Sequence, residues 1–293
     1  TELCDDRVEE RARAVTLVLA GGIVAAFAGP QLATRSRLLL ESTEYAGCYA
    51  VVVAINVLNL ALIATVNFKD VRTNNASPPV GEKARTLVEI FRQPECVCAV
   101  CVASLAHTSM VCLMSPLTIA MDDRNFSFEL TSLALELHFF SMYAPGLLGT
   151  SWLIRNQGPY VASLVGLLFF AGSATTLASG DTLPQFVVGM ALCGVAWNLS
   201  FSAGTVLLTT CHTKHEALSV QAVNDFIIFG FAGSGSFVSG YVYDILGWNR
   251  LVFCVSSLMA AISVALAASS FSLRRLRRRR LLWQRGLFDM KST

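Results

Sequence analysis

The sequence predicts an all-α fold, a polytopic transmembrane helix bundle with eight spans. Three observations predict it. Of 293 residues, 54% are hydrophobic and 14% charged, with a mean hydropathy of +0.57, whereas a soluble globular protein carries about 25% charged residues. Eight apolar runs are each long enough to cross a bilayer core of about 30 Å, which takes about 20 helical residues. The Lys and Arg residues fall overwhelmingly on one side of these runs.

Unpaired backbone groups are not tolerated in lipid, so each long apolar run reads as a helix. In order the runs cover about 14–33, 45–68, 96–120, 131–154, 159–179, 183–210, 218–246 and 248–271. Residues 69–95 form the longest hydrophilic stretch, with Asn74, Asn75, Ser77, Pro78, Pro79 and Gly81, and make the natural boundary between two bundles. The first, fourth, sixth and seventh runs are rich in small residues. Gly21, Gly22 and Gly29 lie in the first, and Gly230, Gly233, Gly235 and Gly240 in the seventh. Small residues let helix backbones approach closely within a membrane. The chain opens on Thr1 and a polar segment with Arg7, Arg11 and Arg13. That segment lacks the basic start, apolar core and cleavage site of a signal peptide, and the chain reads as a trimmed product.

An even number of spans puts both termini on one side. Counted by side, 18 Lys and Arg residues share the face of the termini. Only Arg35, Arg37, Arg124 and Arg250 lie opposite. The positive-inside rule then places both termini in the cytoplasm. The tail over 272–293 supplies eight of the 18. It reads first as a topology anchor, with an anionic-lipid contact as the sharper alternative, and not as a nucleic-acid site. The Asn75 and Asn125 sequons fall in a cytoplasmic linker and a very short outer loop, so neither is expected to be glycosylated.

Particular stretches carry a family resemblance. Glu10 to Val15, followed by Gly21, Gly22 and the Gly29–Pro30 pair, resembles the fifth helix of major facilitator superfamily transporters. The glycines that follow Gly-Pro in the superfamily's antiporter motif are here Gln31, Leu32 and Ala33, so antiport is not inferred. Residues 114–121, Glu136 to Gly146, Ala196 to Asn198 and Val220 to Phe226 together resemble a mainly bacterial branch of that superfamily. Arg155 and Gly158 fit the superfamily's Gly/Asp/Arg loop motif without its acidic residue, and the resemblance implies a gating role for them. It also implies that the eight runs are helices five to twelve. Residues 1–68 are then the last two helices of the N-terminal half, 69–95 the central cytoplasmic loop, 96–271 a six-helix C-terminal bundle and 272–293 a basic cytoplasmic tail. The resemblance further implies a cavity shared with helices outside this sequence, so this stretch alone is expected to transport poorly.

Polar groups at membrane depth are expensive and are functional candidates by default. Gln221, Asn224 and Asp225 stand at i, i+3 and i+4 and share one helix face. Asp225 suits proton or cation binding, with structural hydrogen bonding an equal reading. Glu136 and His138, two residues apart, cannot share a face. Histidine titrates near neutrality and suits proton coupling, while a neutral His138 bonded across helices reads equally well. Glu136 is either a pathway group or a solvated one near the outer end. His107 reads first as structural. Asn198 begins a polar stripe continued by Ser202, Thr205 and Thr209. It lines a solute path or serves as interhelical glue. Asn56 and Asn59 are weaker candidates. The nine cysteines form no disulfide framework, and Cys96, Cys98 and Cys101 match no zinc spacing. No phosphate loop, dinucleotide fingerprint or nucleophile elbow is present, so no cofactor is expected. The leading reading is a secondary transporter of a small solute, with the proton as an open coupling option. A non-transporting sensor or assembly subunit of the same ancestry is the alternative, and a membrane-embedded enzyme built on Glu136 and His138 is third.

Overall fold

The computed structural model describes residues 8–40, 43, 45–66, 85–261 and 263–264. The predicted linker over 69–84, the basic tail, the first seven residues and the end of the eighth run lie outside the described residues. Among the described residues the chain is all helix, turn and loop, with no strand. The helices are α1 (Val8–Ser36), α2 (Ala46–Thr65), α3 (Leu87–Phe91), α4 (Pro94–Asp122), α5 (Phe128–Pro145), α6 (Ser151–Gln157), α7 (Pro159–Ala178), α8 (Leu183–Thr209), α9 (Ala217–Leu246) and α10, residues 248–261. A single π turn, Gly146–Thr150, joins α5 to α6 without a break. Five helices, α2, α4, α7, α8 and α9, are long and apolar enough to cross a membrane. The α5 segment falls outside that set because Glu129, Glu136 and His138 dilute its 18 residues.

The helix starts follow from local chemistry. Proline opens α4, α7 and α8, where its missing N–H costs nothing. Thr182 and Gln185 form a reciprocal capping box on α8, and Thr86 and Glu89 do so on α3. Helix α3 lies inside the stretch read from the sequence as linker, so the final part of that linker is ordered against α4 and α9.

Helix α8 is the hub, packed on α7, α5 and α4. Three of its glycines make this possible, each toward a different neighbour. A methyl on Gly194 would sit 2.5 Å from the His138 carbonyl of α5, one on Gly189 2.6 Å from Leu177 of α7, and one on Gly204 3.0 Å from Ala103 of α4. The surrounding core includes Met110, Leu117, Phe170, Phe186, Met190 and Leu251, all nearly inaccessible. At one end of the bundle Arg124 pairs with Asp181 at 2.8 Å and lies over the Phe186 ring, while the Tyr243 hydroxyl donates to Asp123. At the other end the Arg85 guanidinium clasps Glu216 with two bonds of 2.6 and 2.9 Å.

The outer layer is looser. Helix α9 packs on α4, α1 on α5, and α2 chiefly on α1. Gly22 and Gly235 face Tyr143 and Thr108 closely, as the small-residue argument expects. Gly21, Gly29, Gly230, Gly233 and Gly240 have open space where a side chain would stand. The difference arises because those faces of α1 and α9 have no packed neighbour among the described residues.

Candidate functional site

The α9 face forms as the spacing predicts. Gln221 Nε2 and Asn224 Nδ2 each donate to the same oxygen of Asp225, Oδ1, at 3.1 Å. Asn224 is buried, and Gln221 and Asp225 are half-buried. A carboxylate at this depth is held by two amide donors while its second oxygen, Oδ2, carries no hydrogen bond among the described residues.

The remaining candidates separate. His138 is fully buried, and its Nδ1–H donates to the Met190 carbonyl of α8 at 2.8 Å. Glu136 turns the other way, toward α1, where Gln31 Nε2 donates to its Oε1 at 2.5 Å. One turn away on the same face Ser132 and Thr34 are bonded at 3.2 Å, and Phe140 meets Phe27 with ring centroids 5.6 Å apart. This row seams α1 to α5. Glu136 is therefore buried in a helix pair and not solvated at a helix end.

Asn198 sits opposite the π turn. Its Nδ2 donates to the Met142 carbonyl and its Oδ1 accepts from Thr150 Oγ1, both at 2.6 Å. A π turn, next to a proline that lacks an N–H, disturbs the regular ladder, and Asn198 bonds the chain on both sides of it. Along the stripe from Asn198, Thr205 and Thr209 return their hydroxyls to their own helix. Asn56 does likewise on α2.

The motif residues lie at helix ends and on α1. Arg155 is exposed in the last turn of α6, where a cation favours the helix dipole. Gly158 links α6 to α7 at φ 89° and ψ 162°, a conformation open essentially to glycine alone. Pro30 lies within α1, which runs on to Ser36, and Gly29 beside it faces open space.

His107 belongs to a cluster that sequence reasoning did not assemble. Trp197 Nε1 donates to His107 Nδ1 at 3.0 Å. Around the imidazole stand the rings of Trp197, Phe201 and Phe229, with centroids 5.9, 5.8 and 5.4 Å away. The available signal was spacing: Phe201 follows Trp197 by four, and Phe229 follows Asp225 by four. Gln31 and Thr150 were also missed, because partners on distant helices leave no local pattern. Among the described residues no cluster of His, Cys, Asp or Glu could hold a metal ion.

These features form a helical bundle with carboxylate, amide and imidazole groups inside it, most of its long helices apolar enough to cross a membrane, and comparison with known proteins agrees in kind. The chain is 29% identical over 256 residues to a riboflavin transporter of Brucella anthropi, covering 87% of this chain and 64% of that protein. It is 25% and 24% identical over 140 residues to two uncharacterized MFS-type transporters of Bacillus subtilis, YddS and YdeG, covering 47% of this chain and 32% of each relative. The chain thus spans less than two thirds of the length of these curated relatives. No solved structure matches it. The sequence model of the Major Facilitator Superfamily matches residues 7–233. This is a multi-pass integral membrane protein, and the chain belongs to the Major Facilitator Superfamily.

Proposed function

We propose that the protein carries out secondary active transport of a small solute by alternating access, with Asp225 as the proton-binding group. The observation that supports this most is the Gln221–Asn224–Asp225 cluster. An ionisable group at membrane depth marks a solute or proton path. Here two amides orient the carboxylate and leave one oxygen available, so protonation can change what the site binds without dismantling it.

The organisation that goes with this reading has eight spans. Residues 1–68 are the last two helices of an N-terminal half, 69–95 a central cytoplasmic loop, 96–271 a six-helix C-terminal bundle and 272–293 a basic cytoplasmic tail that anchors the topology. Both termini are cytoplasmic. In this fold two bundles rock about a site near the bilayer midplane. The solute path runs along His107, Asn198 and the α9 face. His138 and Glu136 support it by fixing α5 against α8 and α1. Gly29, Pro30, Arg155 and Gly158 act at the gating elements.

The name of the Brucella relative makes riboflavin the first solute to test. Uptake of labelled riboflavin is measured with the full-length gene product in proteoliposomes, with and without an inward proton gradient. The expected result is gradient-stimulated uptake that Asp225→Asn reduces at least about tenfold, the scale of a lost charge-assisted interaction. Gradient-stimulated uptake unchanged by Asp225→Asn removes the proton-binding role.

A further inference from the structure

The rings around His107 come from three helices: His107 from α4, Trp197 and Phe201 from α8, and Phe229 from α9. Trp197 and Phe201 are stacked, with centroids 4.8 Å apart and planes 16° from parallel. Phe229 meets the imidazole edge-on at 82°. Because the Trp197 N–H is given to His107 Nδ1, a neutral imidazole there must carry its proton on Nε2. That N–H has no protein acceptor among the described residues.

Ordinary core packing does not explain this cluster. The core centre holds sealed aromatics such as Phe186 at 1% and Phe170 at 4% exposure, whereas Phe229 is 60% exposed and His107, Trp197 and Phe201, with Trp197 at the core's edge, are only half-buried. Exposure to lipid does not explain it either, since an imidazole N–H with nothing to donate to is costly in hydrocarbon. The neighbouring face adds the complementary group. Asp225 stands one helical turn from Phe229 on α9, about 6 Å along the axis, with Oδ2 unused.

Building on the transport reading of this path, we propose that His107, Trp197, Phe201 and Phe229 form a stacking subsite for a planar, fused heteroaromatic solute. The flat Trp197–Phe201 pair and Phe229 supply π faces. His107 Nε2–H donates to a ring acceptor, and Asp225 accepts from an N–H or O–H of the solute. Heteroaromatic rings carry both faces and edges of this kind. A sugar alcohol offers no face, and an organic cation leaves the imidazole donor unmatched.

The test is a binding titration of the full-length protein in lipid nanodiscs, read by quenching of lumichrome fluorescence, with ribitol and choline as competitors. The subsite predicts saturable quenching that neither competitor reverses. Phe229→Leu should raise Kd about tenfold or more, the scale of a lost base-on-aromatic contact. Trp197→Phe keeps a ring but loses the N–H and should weaken binding by less. Phe231→Leu, about 200° around α9 from Phe229, should leave Kd unchanged, and a monodisperse elution profile for each variant shows that it is folded. The proposal is overturned by absent lumichrome binding, by binding indifferent to Phe229→Leu and Trp197→Phe in folded protein, or by displacement with choline. Solute uptake that persists without lumichrome binding sinks the subsite and leaves the transport reading standing. Lumichrome binding without uptake of any solute does the reverse.

Discussion

Asn198 carries two interhelical hydrogen bonds. It satisfies the Met142 carbonyl and holds Thr150 across the π turn, and it is buried. Leucine repeats the branching of asparagine without its polar atoms, so Asn198→Leu removes both bonds, with some added crowding from its bulkier methyl groups. The cost of orphaning buried polar partners is about 1–3 kcal/mol. Within a membrane the measured worth of interhelical bonds averages about 0.6 kcal/mol, because the unfolded state also finds partners. We expect Asn198→Leu to cost between these two figures, measured by reversible unfolding in detergent micelles. A change below about 0.3 kcal/mol would show that the π turn does not depend on Asn198. Gly158 presents a backbone case. At φ 89° and ψ 162° a Cβ strains the chain whatever space surrounds it, although none of its neighbours would clash. Gly158→Ala should therefore destabilise by about 1–3 kcal/mol without altering any side-chain contact, seen as a lowered melting temperature with an unchanged circular dichroism spectrum.

Elements outside the spans depend on ions in a way that pH can expose. The Arg85 guanidinium, given as a pair of hydrogen bonds, holds the Glu216 carboxyl at about 2, against an ordinary 4.5, and the Thr213 N–H adds to the effect. The same guanidinium reaches the Cys211 carbonyl, and Gln93 donates there too. The pair thus ties the segment before α3 to the turn between α8 and α9. A depressed carboxylate stabilises the folded state fully above its unfolded value and loses that contribution as pH falls through the folded one. The wild-type melting temperature should therefore fall between pH 4.5 and about 2 by more than that of Glu216→Gln, and the two curves should run parallel above about pH 5.5. Parallel curves down to pH 2.5 would deny the pair a stabilising role. This connection also marks where sequence reading stops. Helix positions were legible because hydrophobic runs, prolines and caps are local signals, and the α9 triad was legible because three residues share one period. The Arg85–Glu216 pair, the Gln31–Glu136 bond and the aromatic cluster join residues 90 or more positions apart or on three helices, and no single-chain pattern encodes such meetings. The faces of Gly230, Gly233 and Gly240 have no packed neighbour among the described residues, and composition reveals that a face is small-sided but not what stands beside it.

At the scale of the molecule, the two ends of the bundle differ in chemistry. One end carries Arg124, Asp181, Asp123 and Tyr243 in a compact clasp. The other carries the Arg85–Glu216 pair and, in its turns and helix ends, Arg92, Arg155 and Lys214. The alternation of the described helices puts the 123–127 turn, the 179–182 turn and Gly247 at the first end, and the 92–93, 158 and 210–216 turns at the second. Positive residues are retained on the cytoplasmic side during insertion, so the second end should face the cytoplasm. Single-cysteine variants in a cysteine-free background give a direct reading. In right-side-out vesicles a membrane-impermeant maleimide should label Asn125→Cys without permeabilisation, and should label Lys214→Cys only after the membrane is opened. The prediction is sensitive to span count as well as orientation, because both sites lie beyond the linker. An added or missing helix before α4 would leave them on opposite faces while reversing the relation of both to the N-terminus, so a third variant, Glu10→Cys, completes the test. Labelling of Glu10→Cys and Lys214→Cys under the same condition supports an even number of crossings between them. Labelling under opposite conditions would mean one span more or fewer than the eight and, with it, the loss of the shared location of the two termini.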